Sequence, residues 1–163
     1  MCEAAAGNSP ANGSLGAGAA DSADPPLYEH PVTQHRVLIV DDHVPFRSIA
    51  RQVLTADGFL VVGEAADGAE AIRACGELHP DLVLLDVQLP DIDGFAVASL
   101  LTSRIDPPAV VLVSSRSGTD YGSRIADCHA RGYITKAALS GPAVRRLLLL
   151  PECHRERRNA GPG

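Results

Sequence analysis

The run Leu82-Val83-Leu84-Leu85 leads straight into Asp86, and Val87-Gln88-Leu89-Pro90-Asp91-Ile92-Asp93-Gly94 turns away after it. A carboxylate at the end of a buried apolar run can act as a nucleophile or hold a hard cation. A second run, Arg36-Val37-Leu38-Ile39-Val40, ends in the pair Asp41-Asp42. A third, Ala109 to Val113, ends in Ser114-Ser115. A short fourth, Gly132-Tyr133-Ile134-Thr135, ends in Lys136. If one edge gathers these ends, three carboxylates crowd together and each raises the pKa of its neighbours. A hard divalent ion relieves that repulsion, and Mg2+ suits a site with few protein ligands and several waters. Lys136 adds a mobile point charge that can reach an anionic oxygen. Taken singly, Asp41-Asp42 would read as a solvated turn and Lys136 as an ordinary exposed lysine.

These ends meet only if the runs are neighbouring strands. Each run is too short for a typical helix and is bounded by turn residues, the pattern of a strand buried on both faces. Between them the apolar residues recur at helical spacing. Val44 to Ala56 sets Phe46, Ile49, Ala50, Val53 and Leu54 on one stripe, with Pro45 in the first turn and Asp57-Gly58 as the stop. Phe59-Leu60-Val61-Val62-Gly63 is a further strand. Asp67, with Glu70 three residues on, resembles a capping box and opens a helix to about Leu78, with Ile72, Cys75 and Leu78 inward. Asp93 caps a helix from Gly94 to about Ser103 that turns Phe95, Ala98 and Leu101 to the core. Ser117-Gly118-Thr119-Asp120 starts a weak helix to about Ala130, with Tyr121, Ile125 and Cys128 on one side. Ser140-Gly141-Pro142 starts a last helix through Leu150, and Pro151 ends it. Strands alternating with helices on short loops predict an α/β fold: a parallel sheet with helices on both faces.

The 163 residues suffice for one domain. Residues 34–151 carry all the elements. Residues 1–33 are poor in groups to bury and read as a disordered leader, and residues 152–163 as a disordered tail. The formal charge of −6 argues against a general nucleic-acid surface. No run reaches the ~18 apolar residues that span a bilayer. No basic segment precedes an apolar stretch at the N-terminus, as a secretory signal requires, so a cytoplasmic location is expected. Cys2, Cys75, Cys128 and Cys153 show no C-x-x-C pairing and read as reduced thiols. Cys153-His154 lacks the partners of a metal site.

Taken together, the acid pair, the acid, the hydroxyl and the lysine resemble the receiver domain of two-component response regulators, over roughly Arg36 to Leu150. The resemblance implies a flavodoxin-like, doubly wound five-stranded parallel sheet of order 2-1-3-4-5. It implies Mg2+ held by Asp41, Asp42, Asp86 and the backbone carbonyl of Gln88. It implies that Asp86 accepts a phosphoryl group from the phosphohistidine of a sensor histidine kinase. Lys136 would then reach a phosphoryl oxygen, Ser114 would be drawn toward it, and Tyr133 would change rotamer as the hydroxyl moves; a tyrosine that only fills core is the alternative. Many receivers place proline after the lysine, and here it is Ala137. With Asp42-His43, this resembles receivers joined to a helix-turn-helix DNA-binding domain. The residues after Leu150 are too few for such a domain.

The resulting expectation is a stand-alone phosphoacceptor that is not an enzyme, does not bind DNA directly, and signals to a downstream protein target or relays the group. Leu147 to Leu150 cover every side of a helical turn, which points to a homodimer through the last helix. Three alternatives stay open: a binding module of the same fold that is never phosphorylated, a fragment of a longer transcription regulator, and a phosphatase using Asp86. A phosphatase resembling the haloacid dehalogenases would want an acid where this chain has Gln88.

Overall fold

The computed structural model describes residues 34–150. The expected leader, the expected tail, Cys2 and Cys153-His154 lie outside the described residues. Five strands, β1 (Arg36–Val40), β2 (Leu60–Ala65), β3 (Leu82–Asp86), β4 (Ala109–Ser114) and β5 (Gly132–Thr135), form one sheet. Its order is β2-β1-β3-β4-β5, with every pairing parallel. All residues of β3 are buried, as an unbroken apolar run at the centre of a sheet requires. The helices are α1 (Val44–Ala56), α2 (Gly68–Leu78), α3 (Gly94–Thr102), the four-residue α4 (Arg124–Asp127) and α5 (Gly141–Leu149).

Successive strand residues point to opposite faces, so each strand feeds two cores. Leu38, Val40, Val83 and Leu85 pack with Ala71 and Cys75 of α2 and with Phe95, Val97 and Leu101 of α3. Val37, Ile39, Leu82 and Leu84 pack with Ala50 and Leu54 of α1 and Val144 of α5. Burial pushes the thiols of Cys75 and Cys128 up, so both are inert core residues. Among the described residues no helix is long and apolar enough to cross a membrane.

Several local expectations are corrected. Ile49 is 56% exposed, because the buried stripe of α1 runs through Ala50 and Leu54 and passes it by. The second strand lies further along than its apolar run, ending at Ala65, and its register against β1 slips at Val37/Leu38. At Gly63 a Cβ would lie 2.6 Å from Leu78 Cδ1, so a side chain there would push the end of that leucine aside. The extension carries Glu64 to Arg47 and Arg51, at 3.0 and 2.7 Å. Burial works against its charge, but the two guanidiniums outweigh burial and hold the carboxyl below its usual range.

The expected helix from Ser117 to Ala130 is broken. A 3-10 turn at Gly118–Asp120 is followed by Gly122, which takes the left-handed φ of 46°, and only α4 remains helical beyond it. Asp67 caps α2 as predicted, accepting the Glu70 N–H at 2.7 Å, but the Glu70 carboxylate reaches back to Ala66 N at 2.8 Å rather than to Asp67. Ser140 caps α5 through Ala143 N at 3.2 Å. Asp57 Oδ2 also accepts the Gly141 N–H at 2.9 Å, tying the end of α1 to the start of α5. Leu149 and Leu150, at the end of α5, are exposed.

Candidate functional site

The order of the sheet decides which strand ends can meet. β1 and β3 are neighbours, and the chain leaves β1 on one side for β2 and returns on the other as β3. At such a switch point the carboxyl ends of the strands flank an open crevice. Asp41 follows β1 and is fully buried, and Asp86 ends β3 and is 3% exposed. Lys136 follows β5, two strands beyond β3. Its stem spans the gap, placing Nζ 2.6 Å from Asp41 Oδ2 and 3.1 Å from Asp86 Oδ2. Nζ also lies 4.6 Å from the centre of the Phe46 ring, so α1 covers the ammonium with an aromatic face.

Backbone donors orient the two acids. The His43 N–H donates to Asp41 Oδ1 at 2.8 Å, and the Gln88 N–H donates to Asp86 Oδ1 at 3.1 Å. Asp91 pins the same loop from its far end. Its two oxygens accept the N–H groups of Gly68 and Ala69 at 2.8 and 2.9 Å, at the start of α2. The Gly68 bond is foremost in pulling the Asp91 carboxyl below its usual range. The sequence marked Asp91 only as a turn residue, because its partners lie on a different helix.

Gly94 sits hard against the acceptor strand. A Cβ there would lie 2.2 Å from the Asp86 carbonyl oxygen and 2.7 Å from Val87 Cα. Both of these are backbone atoms, so neither can swing aside. Gly94→Ala will therefore lower stability by about 2–3 kcal/mol, the cost of overpacking a filled site. It will also displace Asp86, seen as shifted Asp86 and Val87 amide resonances. An unchanged urea midpoint with unchanged resonances would refute this placement of the loop.

Charge at the site is unbalanced. Burial is the main force raising the Asp86 pKa; the Gln88 N–H opposes it, Asp41 adds to it, and Lys136 does not fully cancel it. Burial pulls Lys136 down, but its contacts with both acids win and hold it above the usual lysine value. Asp41 Oδ2 is buried, with the Lys136 ammonium 2.6 Å from it.

Asp42 is exposed and lies outside the lysine contacts, with its Oδ1 3.0 Å from His43 Nδ1. The ligand atoms of Asp41, Asp42 and His43 fall within 4.8 Å of one another. Gln88 is exposed, and its backbone forms the rim next to Asp86. Asp41 and Asp86 share one ammonium and Asp42 lies beside Asp41, so two buried carboxylates and a neighbouring exposed one offer the oxygen ligands a hard divalent ion takes.

Ser114 ends β4 and is buried. Its Oγ lies 3.0 Å from the Tyr121 hydroxyl and accepts the Arg116 N–H at 3.2 Å. Tyr133 is half-buried and donates its hydroxyl to the Arg116 carbonyl. Its ring lies over Gly118, where a Cβ would come within 2.7 Å of it, and 5.8 Å from the Tyr121 ring. Tyr121 packs against the core as its spacing predicts, and its hydroxyl also bonds Ser114, which spacing does not reveal. The available signal was a tyrosine in the segment directly after the strand-end hydroxyl.

This geometry defines a flavodoxin-like α/β domain whose strand-end acids face one lysine at the switch point. The chain belongs to the response regulator receiver domain family, which it matches over residues 37–143. It is 39% identical over 117 residues to the response regulator GacA of Pseudomonas viridiflava, a match covering 71% of this chain and 54% of that one. It is 41% identical over 102 residues to the transcriptional regulatory protein PdtaR of Mycobacterium tuberculosis, covering 62% of this chain and 49% of that one. The chain thus spans about half the length of these relatives. It is also similar to the CheX-CheY-BeF3-Mg2+ complex from Borrelia burgdorferi, with 27% identity and a TM-score of 0.62, covering 71% of this chain and 87% of that one. The family and the fold drawn from sequence are therefore borne out.

Proposed function

We propose that this receiver accepts a phosphoryl group on Asp86 from the phosphohistidine of a sensor histidine kinase, in a Mg2+-dependent reaction, and changes conformation to signal to a protein partner. The observation that carries the reading is the single ammonium of Lys136 shared between Asp41 and Asp86. A carboxylate oxygen of Asp86 forms the new O–P bond as the N–P bond of the donor breaks, and the electron pair of that bond leaves with the imidazole. Lys136 is placed to follow the negative charge from the carboxylate to the phosphoryl oxygens. Ser114, one strand over, donates its hydroxyl to one of them.

Mg2+, held by Asp41, Asp42, Asp86 and the Gln88 carbonyl, would supply positive charge against those oxygens. The similarity to a CheY seen with BeF3 and Mg2+ supports this assignment. Tyr133, beside the loop after β4, is the second switch residue of the reading. The product is a two-state equilibrium that phosphorylation biases. The receiver works as a cytoplasmic signalling module rather than a multiple-turnover enzyme. Exposed Leu149 and Leu150 at the end of α5 suit a homodimer.

The test is incubation of the protein with acetyl phosphate, with Mg2+ or with excess EDTA, followed by intact mass and peptide mapping. One base-labile phosphoryl group on the peptide bearing Asp86, dependent on Mg2+, is the expected result. No mass gain would favour a binding module of the same fold, and repeated turnover on a phosphate ester would favour a phosphatase.

A further inference from the structure

We propose that Tyr121 is a positioning residue for the switch. Its hydroxyl holds Ser114 in the unphosphorylated state, and the serine serves the phosphoryl group only by leaving it. The inference rests on the phosphoacceptor reading of Asp86 and adds a residue to it.

The hydrogen-bond accounting at Ser114 leaves little freedom. The side chain is 1% exposed, so water does not complete its shell. Its oxygen accepts from Arg116 N, and its own hydrogen needs an acceptor. The Tyr121 hydroxyl lies 3.0 Å away, and either oxygen of the pair can be the donor. The Tyr133 hydroxyl, whose proton goes to the Arg116 carbonyl, keeps an oxygen near Ser114 that can share the serine. A hydroxyl has one proton, so a serine that donates to Tyr121 cannot also donate to a phosphoryl oxygen on Asp86.

Tyr121 is also built into a relay of stacked groups. Its ring centre lies 5.3 Å from that of Phe95 on α3 and 5.8 Å from that of Tyr133 on β5. The guanidinium of Arg124, the first residue of α4, sits 4.2 Å from the Phe95 ring and pairs with Asp93, the cap of α3. Loss of the Ser114 bond therefore loosens a side chain that is linked to α4 through Phe95. That helix has only four residues and no side-chain cap, so it has little of its own to hold it. Tyr121 also lines a cleft of about 560 Å³, with Gln88 and Arg116 on other walls, which gives the ring room to move.

The experiment measures the affinity of the whole chain for beryllofluoride, an anion that stands in for the phosphoryl group, in saturating Mg2+. Tyr121→Phe keeps the ring stack and removes the hydroxyl that holds Ser114 in the free state. It should bind beryllofluoride about three- to tenfold tighter, the worth of one hydrogen bond. Ser114→Ala should bind more weakly than wild type. Tyr121→Phe should have no further effect in the Ser114→Ala background, which separates a latch on the serine from a general change in packing. An unchanged or weaker Tyr121→Phe, or an equal gain without Ser114, overturns the inference while leaving the acceptor assignment standing. A wild-type protein that takes up neither beryllofluoride nor phosphoryl overturns both.

Discussion

Asp86→Asn will take up no phosphoryl group from acetyl phosphate, and at neutral pH it will unfold at a higher temperature than the wild-type protein. The first outcome follows from losing the nucleophile while the shape of the side chain is kept. The second follows from the charge at the site. Asp86 is almost fully buried, faces the charge of Asp41, and has its pKa raised. A raised carboxyl pKa means that the folded state binds the proton more tightly than the unfolded chain does. That group's favourable contribution is complete below its unfolded value near 4 and is lost as pH rises through the folded value. At pH 7 the ionised Asp86 therefore costs stability.

Asparagine removes the charge, keeps an oxygen for the Gln88 N–H, and leaves Lys136 paired with Asp41. A gain of ~1 kcal/mol corresponds to a rise of roughly 3–6 °C for a domain of this size. The difference should close below about pH 4, where the wild-type carboxylate is also neutral. Thermal melts from pH 3 to 8 test this. If Asp86→Asn melts lower than wild type at pH 7, the lysine pair outweighs the repulsion and the picture of a strained acceptor fails. If it still gains a phosphoryl group, the acceptor is elsewhere.

How far the sequence could lead is clearest by comparing Asp86 with Tyr121. Four consecutive apolar residues followed by an acid and a turn fix a buried strand and the edge on which its last side chain emerges. The same logic placed Asp41 and Lys136, since alternation of strands and helices forces the strands parallel and brings their carboxyl ends to one edge. Helix bounds were equally legible where a cap and a stop bracketed them, as in α1 and α2. What stayed hidden depends on partners far along the chain. Asp91 caps α2 across an intervening strand, and its own sequence neighbours say nothing of that. Tyr121 meets Ser114 because Gly122 breaks a stretch whose spacing looked helical. Ile49 sits next to the buried stripe of α1 and satisfies the pattern nearly as well as Ala50, so periodicity alone misassigned it. The outward turn of Asp42 toward His43 is a choice among rotamers that spacing cannot register.

Lys136→Met will destabilise the protein by ~3 kcal/mol at pH 8, the lower end of the range for stripping one partner from a buried charge pair. Methionine keeps an apolar stem for Phe46 to cover, so the loss reports the ammonium rather than packing. Two carboxylates then face each other without a cation: Asp41, whose buried Oδ2 loses the ammonium at 2.6 Å, and Asp86, already hard to ionise.

The pH dependence identifies which group is responsible. The Lys136 pKa is raised by its contacts with the two acids, so its contribution is complete below the unfolded value and is lost only as pH rises through a folded value higher than that of an ordinary lysine. Between pH 5 and 8 the wild-type lysine stays charged and contributes no slope of its own. The variant should instead regain stability on acidification, because protonating Asp86 removes the repulsion that the lysine had offset. Mg2+ should raise the melting temperature of the variant more than that of wild type, since in wild type the ammonium and the cation compete to neutralise the same acids. A loss that is flat with pH and insensitive to Mg2+ would mean that Asp41 and Asp86 do not share one electrostatic site. In that case the phosphoacceptor reading would lose its footing along with the cation.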